Sequence, residues 1–558
     1  MRRRRLRAHA TRALLAFYAV GGMGCTGGDG ADGAAPASDP VAAASRSTDA
    51  EARSAWIRVT PRGLEALPAT LRASIGEGLT LPLPRTRRDD LTLCAAGACE
   101  IQLQLDSLSA SLRGGGELGL AVSARAHTTR IPVRYEQSWP CAFTSRPECA
   151  VTFDTRRHGP PAIQATAELR LQVDRATGWA GLVLAEPRVP QGLDAGDVHI
   201  TGGNTCGHVW CSVANLAGAS SWVAERANTA IVETIRSEAD ARICLPCAAG
   251  SCPGGSRCEA GTCRSAGGCV PRPLAAGTTV TTAEGTRGVH LGVTVADVAE
   301  IRRGGLELAL RLSAAPEARD PCAPPALAPT PEPLPRRLLD AGADRGALRV
   351  VLGEAAIARV LWALHQAGVG CVDVGADEIP PLRAGLAALL PSARRITSGG
   401  PGSLGVGAPT VSLRLLAPPT AHLREDGTLA LEARIRIEIW AEVEGRSLRV
   451  AAATSGVSGV ARLSMQNGSL SLETPRSALE VRRIDTWSAP LLGAGERELG
   501  TTFDALLQVA LAVVPETTPL SALPLPGRAS LAGAPRTVEV DGVRALMVEL
   551  DLAPEPAP

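Results

Sequence analysis

From Ile163 to Asp174 apolar and polar residues alternate without a break. Ile163, Ala165, Ala167, Leu169, Leu171 and Val173 fall on one side, and Gln164, Thr166, Glu168, Arg170, Gln172 and Asp174 on the other. Side chains on a strand change face at every residue, so the pattern predicts a strand with one dry and one wet face. At about 3.3 Å per residue it spans roughly 40 Å, about twice an ordinary strand. The second half repeats the pattern, with Leu431, Ala433, Ile435, Ile437 and Ile439 alternating with Glu432, Arg434, Arg436 and Glu438. Long one-sided strands in both halves create extended apolar surfaces, and whatever covers them bears on function.

The 558 residues leave room for about two to four domains. A net charge of +1, with no basic stripe interleaved with aromatics, excludes a strong electrostatic pull toward nucleic acid. The 57 basic residues are all arginine, and aromatics make up only 3% of the chain, so its core is built from Leu, Val, Ile and Ala.

The first residues read as an export signal. Arg2 to Arg5 and Arg7 supply charge, Leu14 to Val20 a short apolar stretch, and Gly22, Met23 and Gly24 a small-residue site before Cys25. Small residues before a cysteine, with polar residues after it, resemble bacterial lipoprotein signals. Gly22 departs from the usual aliphatic residue at its position, so Cys25 is either an acylated anchor or part of a plain secretion signal. No later stretch reaches the roughly 18 apolar residues of a membrane span. The expectation is an exported protein at the outer membrane or cell surface, tethered or secreted.

Removing Cys25 from the 15 cysteines leaves fourteen, an even number that predicts seven disulfides in an exported chain. Cys94 with Cys99, and Cys141 with Cys149, are spaced to staple hairpins or loops, and Cys322 with Cys371 would close a 48-residue spacer. Cys206 and Cys211 precede the longest helical segment. Six further cysteines, Cys244, Cys247, Cys252, Cys258, Cys263 and Cys269, fall within 26 residues, too few for a hydrophobic core of their own. Disulfides are the expected chemistry there. Zinc is an alternative, because Cys244 and Cys247 supply half of a tetrahedral site, but a second Cys-x2-Cys is missing. A redox pair would need a βαβ setting that does not surround it.

Residues 26–54 read as a flexible linker, 55–275 as a first domain carrying the 244–269 insert, and 276–558 as a second. Helices are predicted over 63–75 (Leu64, Leu67, Leu71), 212–242 (Val213, Leu216, Val223, Ala227, Ile231, Ile235), 352–367 (Ile357, Leu361, Leu364) and 503–514. Each half then reads as strand, helix, sheet and helix.

Several stretches resemble the tubular lipid-binding superfamily, specifically proteins related to bactericidal/permeability-increasing protein and lipopolysaccharide-binding protein. They are the Ile57 to Leu64 opening, a cysteine (Cys206 or Cys211) before a long helix that Cys244 follows, the 348–368 segment, and the Leu523 to Pro526 tail. The resemblance implies an α+β fold of two tandem elongated domains, each a long twisted antiparallel sheet wrapped on a long amphipathic helix. It also implies an acyl-chain pocket between helix and sheet in each, and a disulfide from Cys206 or Cys211 to Cys244. The disulfide-rich insert and the absence of lysine depart from the family.

Two Gly-x-Gly-x-x-Gly matches, 114–119 and 400–405, lack the strand-turn-helix context of a nucleotide site and read as turns. His208 reads as a loop residue and His365 as a packing or surface residue. Arg85, Arg87, Arg88, Arg156 and Arg157 form small basic loop clusters. No nucleophile elbow or paired-histidine metal motif appears, and the expectation is a non-enzyme without cofactor or metal. The functional expectation rests on the apolar faces. Their many small residues would leave volume that acyl chains fill, since interiors are normally close-packed. The expected lining comprises Leu64, Leu67, Leu71, Leu169, Leu171, Val213, Leu216, Val223, Ala227, Ile231, Ile235, Ile357, Leu361, Leu364, Ile435 and Ile437. The partners expected are lipid or another amphiphile, and a membrane through the anchor. The rival expectation is a disulfide-stapled adhesion or interaction scaffold with filled cores.

Overall fold

The computed structural model describes residues 53–553 except for internal segments, the longest being 136–147, 156–162, 203–210, 212–217, 282–287, 376–409, 489–499, 508–516 and 520–527. Linker residues 26–52, the export signal with Cys25, and residues Cys141, Cys206, His208, Val213 and Leu216 lie outside the described residues, as does the 400–405 glycine motif.

Strands dominate, gathered into five separate sheets, and three α-helices accompany them among the described residues: α1 (Pro61–Ile75), α2 (Ala219–Ile243) and α3 (Glu354–Gln366). This overturns the expected fold of a twisted sheet wrapped on a long helix in each half. The alternation in the sequence specifies strands and their faces but not which strands share a sheet. Length gives a second reason. With 13 residues α3 is only about 20 Å long, whereas the 21-residue strand Arg446–Gln466 extends about 70 Å, so that helix cannot serve as its spindle.

A central antiparallel sheet joins strands far apart in sequence. Strand Ala55–Val59 lies between Gly305–Pro316 and Leu348–Gly353, and Val543–Ala553 follows on the far side of the latter. Its register lines up Glu307, Arg58, Arg349 and Glu549 in one row across four strands. All four are buried. Arg58 Nε donates to Glu307 at 2.8 Å, Arg349 Nη2 to Glu549 at 2.7 Å, and Arg336 Nε to Glu307 at 2.6 Å. Asp340 accepts from Arg58 at 2.6 Å, and Asp344 lies within ion-pair range of both Arg58 and Arg349. Burial works against the Asp340 carboxylate, but the hydrogen bond from Arg58 and the charges of Arg303, Arg58 and Arg336 outweigh it and hold its pKa below the usual value.

The predicted strand Ile163–Asp174 has those bounds, paired with Glu117–His127 on one side and Trp179–Leu184 on the other. Its sheet and a second one, which includes Glu148–Phe153 and Val198–Gly202, contribute to a core with α2. Ile101, Leu103, Val151, Phe153 and Val198 meet Trp222, Val223, Ala227 and Ile231 of the helix there. The helix begins after Gly218, which takes a left-handed φ of 81°. Strands Cys99–Arg113 and Glu117–His127 pair antiparallel, and residues 114–116, where a glycine turn is expected, lie outside the described residues.

Six disulfides are present among the described residues: Cys94–Cys99, Cys149–Cys211, Cys244–Cys269, Cys247–Cys258, Cys252–Cys263 and Cys322–Cys371. The chain is disulfide-rich, which fits an oxidising, exported setting. Two pairings differ from expectation. Cys149 bonds Cys211 rather than Cys141, because strand Glu148–Phe153 brings it to the entry of α2. Cys244 bonds Cys269 inside the insert, so no bridge runs from Cys206 or Cys211 to Cys244. The insert forms a three-stranded sheet, held to α2 by an Arg264–Asp240 ion pair at 2.6 Å and seated against Gly181 through Pro271.

Candidate functional site

The second long alternating strand, Leu429–Val443, forms a hairpin with Arg446–Gln466 and pairs on its other side with Thr410–Leu415. Register places Ile435, Ile437 and Ile439 opposite Ser455, Ala453 and Ala451, and opposite Leu415, Leu413 and Val411. Paired residues share a face, so these nine side chains form one inner surface. Arg436 and Glu438 alternate onto the outer face, where Glu438 pairs with Arg436 and Arg449 at 2.9 Å each. Phe503 and Leu507, in helical conformation, cover the inner face and are fully buried in the same cluster.

The cover is incomplete. Ile435, Ile437, Ala453, Ser455, Phe503 and Leu507 line a crevice with about 200 Å³ of space that no atom fills, part of it open to solvent. It is narrow, with room for about one water-sized group. The physical cause is the run of alanines on strand Arg446–Gln466. A methyl at Ala453 stands where a larger residue would meet Leu507 and Phe503, and proteins seldom leave such gaps.

Ser455 is the polar member of the lining. Its Oγ lies 2.8 Å from the carbonyl oxygen of Arg482 and 3.1 Å from that of Gly456. The reason is a register shift in the pairing with strand Glu480–Ser488. Ser455 faces Ile484 while Gly456 faces Arg482, leaving Arg483 as an extra residue. Such bulges redirect backbone groups, and the hydroxyl serves one of them.

The other residues expected to line a lipid channel are distributed over several separate cores. Val223, Ala227 and Ile231 are buried against the sheets of the first half, with Ile235 half-buried beside them. Leu64 and Leu169 fall in a different cluster, which Ile357 and Leu361 join from α3. Leu171 packs near Val295 and Leu308. Leu364 packs near Ala363 and Val289. Leu67 and Leu71 lie within α1, but their side chains are outside the described residues. The crevice thus brings together Ile435 and Ile437 from the expected set. Ala453, Ser455, Phe503 and Leu507 were not in it. Strand Arg446–Gln466 has Ala, Ser and Gly where alternation would need contrast, so its inner face is readable only as the hairpin complement of 431–439.

Three clusters bring cysteine and aspartate within metal-binding reach of one another: Cys247, Cys252 and Cys263; Asp240, Cys244 and Cys269; and Asp320, Cys322 and Cys371. Every cysteine in them is disulfide-bonded, which withdraws those sulfurs as thiolate ligands. His365 is buried on α3. Its Nε2 lies 3.2 Å from the carbonyl of Leu415, and Gln366 Nε2 lies 3.0 Å from its Nδ1 and 2.9 Å from the carbonyl of Pro324. This pattern assigns the ring proton to Nε2 and suits the neutral imidazole. Burial lowers its pKa, opposed only in part by the Leu415 carbonyl.

No family model and no curated protein matches the chain. Among solved structures it is similar to lipopolysaccharide binding protein, with 13% identity over 89% of this chain and 98% of that one, at a TM-score of 0.36. It is also similar to P47 of Clostridium botulinum E1, with 5% identity over 90% and 99% and a TM-score of 0.23, and to P47 of Clostridium botulinum A2, with 9% identity over 89% and 97% and a TM-score of 0.22. At scores this low the likeness establishes neither fold nor function.

Proposed function

We propose that this chain is an exported, non-catalytic binder of a lipid or similar amphiphile, held at the bacterial cell envelope through an acylated Cys25. The observation that carries the reading is the crevice beneath strands Leu429–Val443 and Arg446–Gln466, where apolar side chains line space they do not fill. Each methylene buried there would contribute about 0.8 kcal/mol without any charged contact. The six disulfides support the exported setting. No helix among the described residues is long and apolar enough to cross a membrane, so attachment through the lipid on Cys25 is the route this reading uses.

The test is organic extraction of the natively purified, full-length protein followed by mass spectrometry. Near-stoichiometric lipid beyond any acyl group on Cys25 supports the proposal. A second reading has its own observation: α2 is buried against the sheets of the first half, and a cross-linked insert is tied to it by the Arg264–Asp240 ion pair. Repeated absence of extractable lipid would favour that stapled interaction scaffold.

A further inference from the structure

We infer that the proline-rich strap over α3 is a substrate-like inhibitory loop for a serine protease with an apolar primary pocket, and that Leu327 is the side chain this pocket takes. The strap runs through residues 323–330, from Cys322, which a disulfide ties to Cys371 just past α3. Proline holds its own φ at about −65° and keeps the residue before it extended, so Pro324, Pro325 and Pro329 draw this stretch out. Arg359, Trp362 and Gln366 share one face of α3 and fasten the strap by its carbonyls. Arg359 Nη1 donates to Pro329 at 3.3 Å, Trp362 Nε1 to Ala326 at 2.9 Å, and Gln366 Nε2 to Pro324 at 2.9 Å. The Arg359 guanidinium also lies over the Trp362 ring, 5.6 Å from its centre.

Among the described residues, the N–H and C=O of Leu327 and the C=O of Pro325 have no hydrogen-bond partner. A serine protease takes up its substrate as an added extended strand. It bonds main-chain groups of the residue before the scissile bond and of the one two positions ahead of that, and seats the former's side chain in its primary pocket. With the scissile position at Leu327–Ala328, the groups the strap leaves open are those the enzyme uses. The side chain agrees: Leu327 is 96% exposed, against 47% for Trp487, the next most exposed large apolar residue described. It forgoes the burial a leucine ordinarily gains, which an apolar pocket restores. Fastening on both sides of that bond meets the ordering cost of docking in advance and keeps Ala328 in place, which separates an inhibitor from a substrate. Pro325 and Pro329 lack the N–H groups an ordinary substrate also donates, so affinity rests mainly on Leu327.

The experiment measures hydrolysis of chromogenic peptides by chymotrypsin, subtilisin and trypsin with the full-length, disulfide-intact protein added at increasing concentration. At least one of chymotrypsin and subtilisin, whose pockets take large apolar side chains, should be inhibited, and trypsin, whose pocket is acidic, should not. Leu327→Asp should raise the inhibition constant by about 30- to 1,000-fold, the range for losing a central anchor residue. Leu327→Arg should transfer inhibition to trypsin. The side chain stands in water, so both variants should melt as the unmodified protein does. Inhibition of neither apolar-pocket enzyme overturns the inference. So does inhibition that Leu327→Asp leaves unchanged, because the contact then lies elsewhere. Rapid cleavage between Leu327 and Ala328 without inhibition, read by mass spectrometry of the mixture, would make the strap a substrate and overturn it as well.

Discussion

Arg58 and Arg349 stand directly opposite one another on adjacent strands, and both side chains are buried. Like charges facing across a strand pair repel, so the arrangement persists only because the row continues outward to Glu307 on one side and Glu549 on the other. Asp344 reaches both guanidinium groups, and the carbonyl of Leu339 accepts from both. Four arginines (58, 303, 336, 349) thereby meet four acids (307, 340, 344, 549) at the seam where the start, middle and end of the chain share one sheet.

Removing one acid from this row leaves buried cations short of a partner. Glu307→Gln is expected to destabilise the protein by about 3–5 kcal/mol, the range for breaking a buried pair. Urea unfolding measures it. A loss under about 1 kcal/mol, typical of an exposed pair, would show that water reaches the row.

His365 makes stability depend on pH. Its folded pKa lies below the ordinary 6.5, so the unfolded chain takes up the proton first. The contribution is complete above pH 6.5 and is lost as pH falls below that value and through the folded pKa. His365→Gln keeps an amide nitrogen near the Leu415 carbonyl but does not titrate. A flatter melting-temperature profile below pH 6.5 is expected for this variant, and parallel profiles would contradict the assignment.

Gly181 has no room for a methyl group, since a Cβ would lie 2.4 Å from Pro271 Cβ and 2.7 Å from the Arg272 carbonyl oxygen. Gly181→Ala should unseat the disulfide-rich insert at a cost of about 1–3 kcal/mol. Hydrogen exchange should then rise across residues 244–272 and stay unchanged in the sheet around Ile437. Protection unaltered in the insert would mean that it is not docked on strand Trp179–Leu184.

The cross-link between Cys149 and Cys211 joins a strand to the entry of α2. Replacing both cysteines by serine is expected to cost about 2–4 kcal/mol by freeing the unfolded chain. Peptide mapping without reduction should recover the 149–211 pair. Recovery of 141–149 in its place would contradict the structure.

Much of the strand framework was legible because period-two alternation is a local property. Ile163–Asp174 and the 431–439 run follow directly from it. The grouping into sheets was not legible, since strand Ala55–Val59 finds its neighbours near residues 308 and 350, and no local pattern encodes that distance. No local pattern marks Arg58 and Arg349 as buried partners; only the register reveals them. Two of the six residues lining the crevice, Ile435 and Ile437, were visible in the sequence. The other four depend on Ala453 and Ser455, whose small side chains give no periodic signal, and on the docking of Phe503 and Leu507.

The most direct test of lipid binding is photolabelling of the full-length protein with a fatty acid carrying a diazirine near its methyl end, followed by peptide mapping. The account predicts that label concentrates on Ile435, Ile437, Ala453, Phe503 and Leu507 and is competed away by unlabelled fatty acid. Label scattered over the surface, or unaffected by competitor, would contradict it.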